Sequence, residues 1–177
     1  MSKPFDPEQA QNLEDMEKQF AVKAVEHLMT YWSILEKVPG SQLRLTKIDD
    51  EIYEHFKAEF PDFDPAETID EDKMKSKEGK EKWRNWINQY EKKIHDFNFG
   101  TMLRANPKTE YERDNTIFGE SSEALELLNM DWDVWLTGFL LLAMRMQFYA
   151  IEIARNRAGL NDWVYEQAQA RAKNSSS

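Results

Sequence analysis

The spacing of apolar residues between positions 13 and 35 constrains this chain most. Leu13, Met16, Phe20, Ala24, Leu28, Tyr31 and Leu35 recur at steps of three or four. That period gathers them on one stripe of an α-helix and cannot be met by a strand, whose faces alternate every second residue. The spacing predicts a helix over residues 12–38, stopped by Pro39-Gly40. The signature recurs twice. Ile48, Ile52, Tyr53, Phe56 and Phe60 mark a second helix over residues 49–60, with Asp49 or Thr46 expected as its cap. Pro61 and Pro65 end it and open an acidic loop with a helical turn before residue 74. Trp83, Trp86, Ile87, Tyr90 and Ile94 mark a third helix over residues 76–95.

Beyond residue 95 the period falters. Gly100 and Asn106-Pro107 interrupt it, and residues 101–105 and 116–118 are expected to pair as a short hairpin across a ten-residue loop. A helix returns through Leu125, Leu128, Trp132 and Trp135, with Ser121 or Ser122 as its cap. Residues 150–157 continue the helical signal, although "QFYAIEI" also satisfies a strand pattern. Ala158-Gly159 ends that segment, and a last helix starts at Asn161 or Asp162. With only 6 Gly and 6 Pro in 177 residues, long regular elements are favoured. The expectation is a mostly α fold: a single-domain helical bundle of five or six helices over residues 12–170, with a short β-hairpin near residues 99–118. Residues 1–11 are expected as a flexible tail and 171–177 as a disordered one.

Several chemistries are disfavoured. There is no cysteine, hence no disulfide, thiolate zinc site or cysteine nucleophile. His27, His55 and His95 sit on different predicted helices without an i+4 partner, so no metal site is expected. "DFDPAETIDEDK" has the carboxylates of a calcium loop, but it places Glu67 where the turn needs Gly and Lys73 where the ion needs a bidentate Glu. The net charge is −10, and residues 49–72 carry eleven acids against Lys57 alone. A basic run follows over residues 73–84. Direct nucleic-acid binding is not expected of such a balance. The uncharged run over residues 134–144 is eleven residues long, against ~20 for a membrane span. The N-terminus has no apolar signal core, so a cytoplasmic location is expected.

Arg155 and Arg157 at a helix end, and Arg104 in "GTMLR", read in two ways. They complement helix dipoles as solvated side chains, or they clamp an anion or a carboxylate.

Five blocks carry a resemblance when taken in order: "LTKIDDEIY" (45–53), "KEKWR" (80–84), "DFNFGTMLR" (96–104), "NTIF" (115–118) and "FYAIEIARNR" (148–157). Together they resemble the eukaryotic polysaccharide biosynthesis domain-containing family. The resemblance implies a small helical cytosolic protein, without enzymatic residues or a cofactor. It would act as a dedicated chaperone of newly made translation elongation factor 1-alpha. It would engage the GTP-binding domain of that factor near the ribosome, through the nascent polypeptide-associated complex. Lys82, Trp83, Arg84, Asp96, Arg104, Arg155 and Arg157 are the motif positions expected as partner contacts. Residues 119–142 stand apart from the family pattern as an apolar insertion. The alternative is a carbohydrate-assembly enzyme or accessory factor, as the family's historical label suggests. Its sequence support is limited to the D-x-D triplets Asp62-Phe63-Asp64 and Asp131-Trp132-Asp133.

Overall fold

The computed structural model describes residues 23–24, 26–97, 99–111, 115–117 and 143–176. The expected helix through residues 125–135, the apolar run at 134–142 and the tail at 1–11 lie outside them. Within them the protein is mostly helical. Helix α1 covers residues 26–35, and α2 (Asp49–Glu59), α3 (Glu71–Lys75), α4 (Lys77–Asn88), α5 (Arg145–Arg157) and α6 (Asp162–Ser175) follow. A 3-10 turn at Gly40–Gln42 joins α1 to the rest. Among the described residues no helix is long and apolar enough to cross a membrane.

The predicted stripe points inward: Ala24, just ahead of α1, is buried, as are Tyr31 and Leu35 within it, and Leu28 is half-buried. It packs with Ile52 and Phe56 of α2, Trp83 and Trp86 of α4, and Phe148 and Ile151 of α5 in one core. Helix α5 is covered on nearly every side from Met146 to Asn156. This explains why "QFYAIEI" offered two readings: a segment buried all round has no polar face to reveal its period.

Strands are two residues long. β1 (Gly100–Thr101) pairs antiparallel with β4 (Ala143–Met144), and β2 (Leu103–Arg104) pairs with β3 (Thr116–Ile117). The expected hairpin is therefore present as β2–β3, with Leu103 opposite Ile117 and Arg104 opposite Thr116. The β1–β4 pairing joins positions too distant in sequence for a local signal to announce it.

Four expectations need correction. Neither Asp49 nor Thr46 caps α2 from outside. Asp49 is the first helical residue, and its carboxylate accepts from the Leu45 and Thr46 amides at 2.9 and 2.7 Å, tying the helix back to the preceding loop. Helix α4 ends at Asn88 instead of 95, because the ladder tightens there to three-residue turns such as Tyr90 N–H to the Ile87 carbonyl. Helix α5 starts five residues early, at Arg145, where the Met144 amide donates to the Gln147 side chain at 2.7 Å. Helix α6 runs to Ser175, into the stretch expected as a disordered tail.

Candidate functional site

The end of α2, the loop behind it and the α3–α4 corner enclose a half-open groove of about 410 Å³. Phe60, Phe63, Ile69, Met74, Trp83 and Ile151 give it an apolar lining. The rings fix its shape: Phe60 stacks on Trp83 with centroids 4.2 Å apart, and Phe56 braces Phe63 from below at 5.0 Å. Each such pair adds about 0.5–1.5 kcal/mol beyond simple burial. Asp62, Asp64, Glu67, Asp70 and Glu78 line the groove as well, against Lys73 and Lys82. The α3–α4 corner is built by Ser76, whose hydroxyl donates to the Lys73 carbonyl at 2.7 Å and accepts from the Gly79 amide at 3.1 Å.

Behind the groove lies a buried charge cluster. Helix α5 serves both, with Ile151 lining the groove and Glu152 in the cluster. Glu152 is fully buried between two fully buried arginines, at 2.8 Å from Arg155 Nη1 and 3.3 Å from Arg104 Nη2. Tyr31 donates to the same carboxylate at 2.7 Å and Asn161 Nδ2 at 2.8 Å. Two guanidinium groups against one carboxylate leave a surplus positive charge. Backbone carbonyls absorb it: Arg155 donates to those of Arg104 and Ala105, and Arg104 to those of Pro107 and Thr109. The rings of Trp32 and Tyr111 lie 5.4 and 5.5 Å from the Arg104 guanidinium, adding cation–π attraction. Burial alone would push the Glu152 carboxyl up, but Arg104, Arg155 and the hydrogen bonds prevail and hold it down at about 2.

The cluster and the groove share an atom. The Ala105 carbonyl accepts from Arg155 Nη2 at 2.9 Å and from the Ile69 amide at 3.0 Å. Ile69 therefore holds its place in the groove because the arginines hold the 105 turn. Asn115 locks that turn from the other side, accepting from the Asn106 amide at 2.7 Å and donating to the Glu110 carbonyl at 2.8 Å. Gly40 sits against the cluster's far edge, where a Cβ would meet Asn156 Oδ1 at 2.5 Å and Asn161 Cβ at 2.8 Å.

The seven expected contact residues do not converge. Lys82 and Trp83 line the groove, with the Lys82 ammonium 4.6 Å from the Phe60 ring centroid. Arg84 is exposed on α4 outside the lining. Asp96 is half-buried and pairs with Arg145, while Tyr149 donates to it at 3.3 Å. Arg157 is exposed at the end of α5, pairs with Asp50 and stacks over Tyr53 at 4.6 Å. Arg104 and Arg155 lie at 0% exposure with their terminal nitrogens already bonded, so in this fold they have no surface to offer a partner. They are the carboxylate clamp of the sharper reading, turned inward onto Glu152. One signal for this was present, an acid at position 152 inside an apolar run. Among the described residues no three His, Asp or Glu side chains come together as metal ligands.

A profile of the family described as PBDC1 protein matches residues 16–125 and 136–166. The chain belongs to the PBDC1 family. It is 47% identical over 166 residues to a PBDC1 homolog of Saccharomyces cerevisiae, covering 92% of this chain and 97% of the yeast protein. A Schizosaccharomyces pombe homolog is likewise 47% identical, over 93% of this chain and 97% of the relative. The human PBDC1 protein is 35% identical over 88% of this chain and 56% of its own length. A Saccharomyces cerevisiae protein with a solved solution NMR structure aligns at a TM-score of 0.69 and 46% identity, over 92% of this chain and 97% of the other. The names of the family and these relatives state no enzymatic activity. The match comes in two parts, and the gap between them, residues 126–135, falls inside the stretch at 119–142 expected as an insertion.

Proposed function

We propose that this member of the PBDC1 family is a client-specific chaperone that receives newly synthesised translation elongation factor 1-alpha in the cytoplasm. It would hold the GTP-binding domain of that factor, near the ribosome and the nascent polypeptide-associated complex, until the domain completes its fold. The observation that carries this reading is the groove: Phe60, Phe63, Ile69 and Met74 are left partly open to solvent over the buried Trp83 and Ile151 of a helical frame. A half-made domain exposes apolar segments that aggregate. Covering them gains about 25 cal/mol per Å² of apolar area removed from water. Methionine and stacked rings adapt to segments of varied shape. Lys82 and Trp83 are the contact residues this reading retains at the groove. Release follows when nucleotide binds the client, because a ligand that favours the folded state draws the population away from the chaperone-bound form.

The test is capture from a eukaryotic translation extract programmed with elongation factor 1-alpha. Tagged protein is expected to enrich the newly made factor, and added GTP to reduce the yield. Absence of enrichment ends the chaperone reading.

A further inference from the structure

The groove has a sign as well as an apolar lining. Five carboxylates face two ammonium groups around it. Two of the carboxylates serve the local backbone, Asp64 at the Ala66 amide and Asp70 at the Lys73 amide. Asp62, Glu67 and Glu78 are exposed, and among the described residues their carboxylates have no hydrogen-bond or ion-pair partner. Lys82 leans over the Phe60 ring instead of pairing with any of them. An apolar surface ringed by unpaired carboxylates attracts cations and repels acidic segments, and this selects by charge as well as by burial. The adjoining chain strengthens the field, since the groove's acids belong to a run of eleven acids against one lysine over residues 49–72.

We infer that the groove takes a short polypeptide segment of a partner protein in which aliphatic or aromatic anchors are flanked by lysine or arginine. The anchors would rest against Phe60, Phe63 and Met74, and the cations would meet Asp62, Glu67 and Glu78. This rests on the reading of the groove as the client-binding face and names the class of segment it accepts.

The probe is a fluorescein-labelled amphipathic peptide of Leu, Phe and Lys, titrated with the full chain and followed by anisotropy. Two control peptides carry Glu at every Lys, or Ser at every Leu and Phe. Only the first is expected to bind, with its affinity falling about tenfold as salt rises from about 0.05 to about 0.5 M. The double variant Asp62→Lys/Glu67→Lys is expected to keep the wild-type melting temperature and to weaken binding about tenfold. Lys82→Glu is expected to tighten it severalfold, a direction that damage to the fold cannot imitate. Equal binding of the Glu peptide, or no response to either variant, overturns the inference. Self-association that the double variant abolishes assigns the groove to a second copy of this chain and overturns it too. Peptide selectivity as expected, without capture of elongation factor 1-alpha, removes the client reading alone. Capture without peptide selectivity removes the groove chemistry alone.

Discussion

Tyr31 donates its hydroxyl to Glu152 at 2.7 Å, joining residues 121 positions apart in the fully buried interior. The same oxygen accepts from Asn156 at 3.2 Å and lies 3.4 Å from Asn161 Nδ2. One hydroxyl thus fastens α1 to α5 and to the start of α6. Tyr31→Phe keeps the edge-on ring contact with Phe148 at 4.9 Å. It strips Glu152 of a donor and Asn156 of an acceptor, and unsatisfied buried groups cost about 1–3 kcal/mol each. A loss of that size is expected in urea unfolding. A loss below about 0.5 kcal/mol would assign the joint to packing alone.

Glu152→Gln removes the carboxylate that sits between two buried guanidinium groups. Breaking a buried pair by deleting one partner costs about 3–5 kcal/mol, because the remaining charge stays buried and uncompensated. The pH dependence has a definite sign. The Glu152 carboxyl falls from an ordinary 4.5 to about 2 in the fold. Its contribution is therefore complete above the unfolded value and is lost as pH falls from about 4.5 through about 2. Denaturation midpoints measured across that window should decline in the wild type, and the Glu152 share of the decline should be missing in Glu152→Gln. Parallel curves for the two proteins would contradict this account.

His27 contributes in a window that opens at higher pH. Burial lowers its pKa first, with the charge of Arg145 adding to it and Asp96 opposing, to about 4. Its ring accepts or donates at Thr101 Oγ1 across 2.7 Å and meets Phe148 edge-on. Because the unfolded chain takes up the proton first, stability should fall as pH drops from about 6.5 to about 4 and the His27 contribution should then level off. The imidazole resonances of His27 followed by NMR are expected to titrate near 4. A midpoint near 6.5 would place the ring in solvent.

These joints also explain what the sequence disclosed. The α1 stripe and the inward faces of α2 and α4 were legible because each helix buries one side only, so the period of three to four survives in the residue order. The buried cluster was not. Arg104 and Arg155 carry the same letters as solvated arginines, and what distinguishes them is a carboxylate 48 residues from Arg104. Asn161 and Asp162 stand at a helix start and have capping chemistry. Yet Asn161 turns into the cluster, and the Asp162 carboxylate accepts from the Ser41 amide at 2.8 Å. The groove was legible only in part, through Trp83 and Lys82. Its shape is a product of three elements and a loop, and of Ile151 reaching it from a fourth element, 68 residues beyond Trp83 in the sequence.

Gly79 offers a test of how the groove is held open. It lies inside α4, where replacing Gly by Ala in an exposed helix gains about 1 kcal/mol from backbone entropy. Here a Cβ would stand 2.3 Å from the Lys73 carbonyl oxygen and 2.7 Å from that of Met74. Both are main-chain atoms at the end of α3, so relief requires the α3–α4 corner to open. Overpacking that moves backbone costs about 1–3 kcal/mol. The steric term outweighs the helical gain, so Gly79→Ala is expected to lower stability by up to about 2 kcal/mol net. Met74 and Trp83 line the groove from opposite sides of that corner, so the substitution should also shift tryptophan emission. A stabilised variant with unchanged emission would mean that α3 and α4 yield at no cost, and that the groove is not set by this contact.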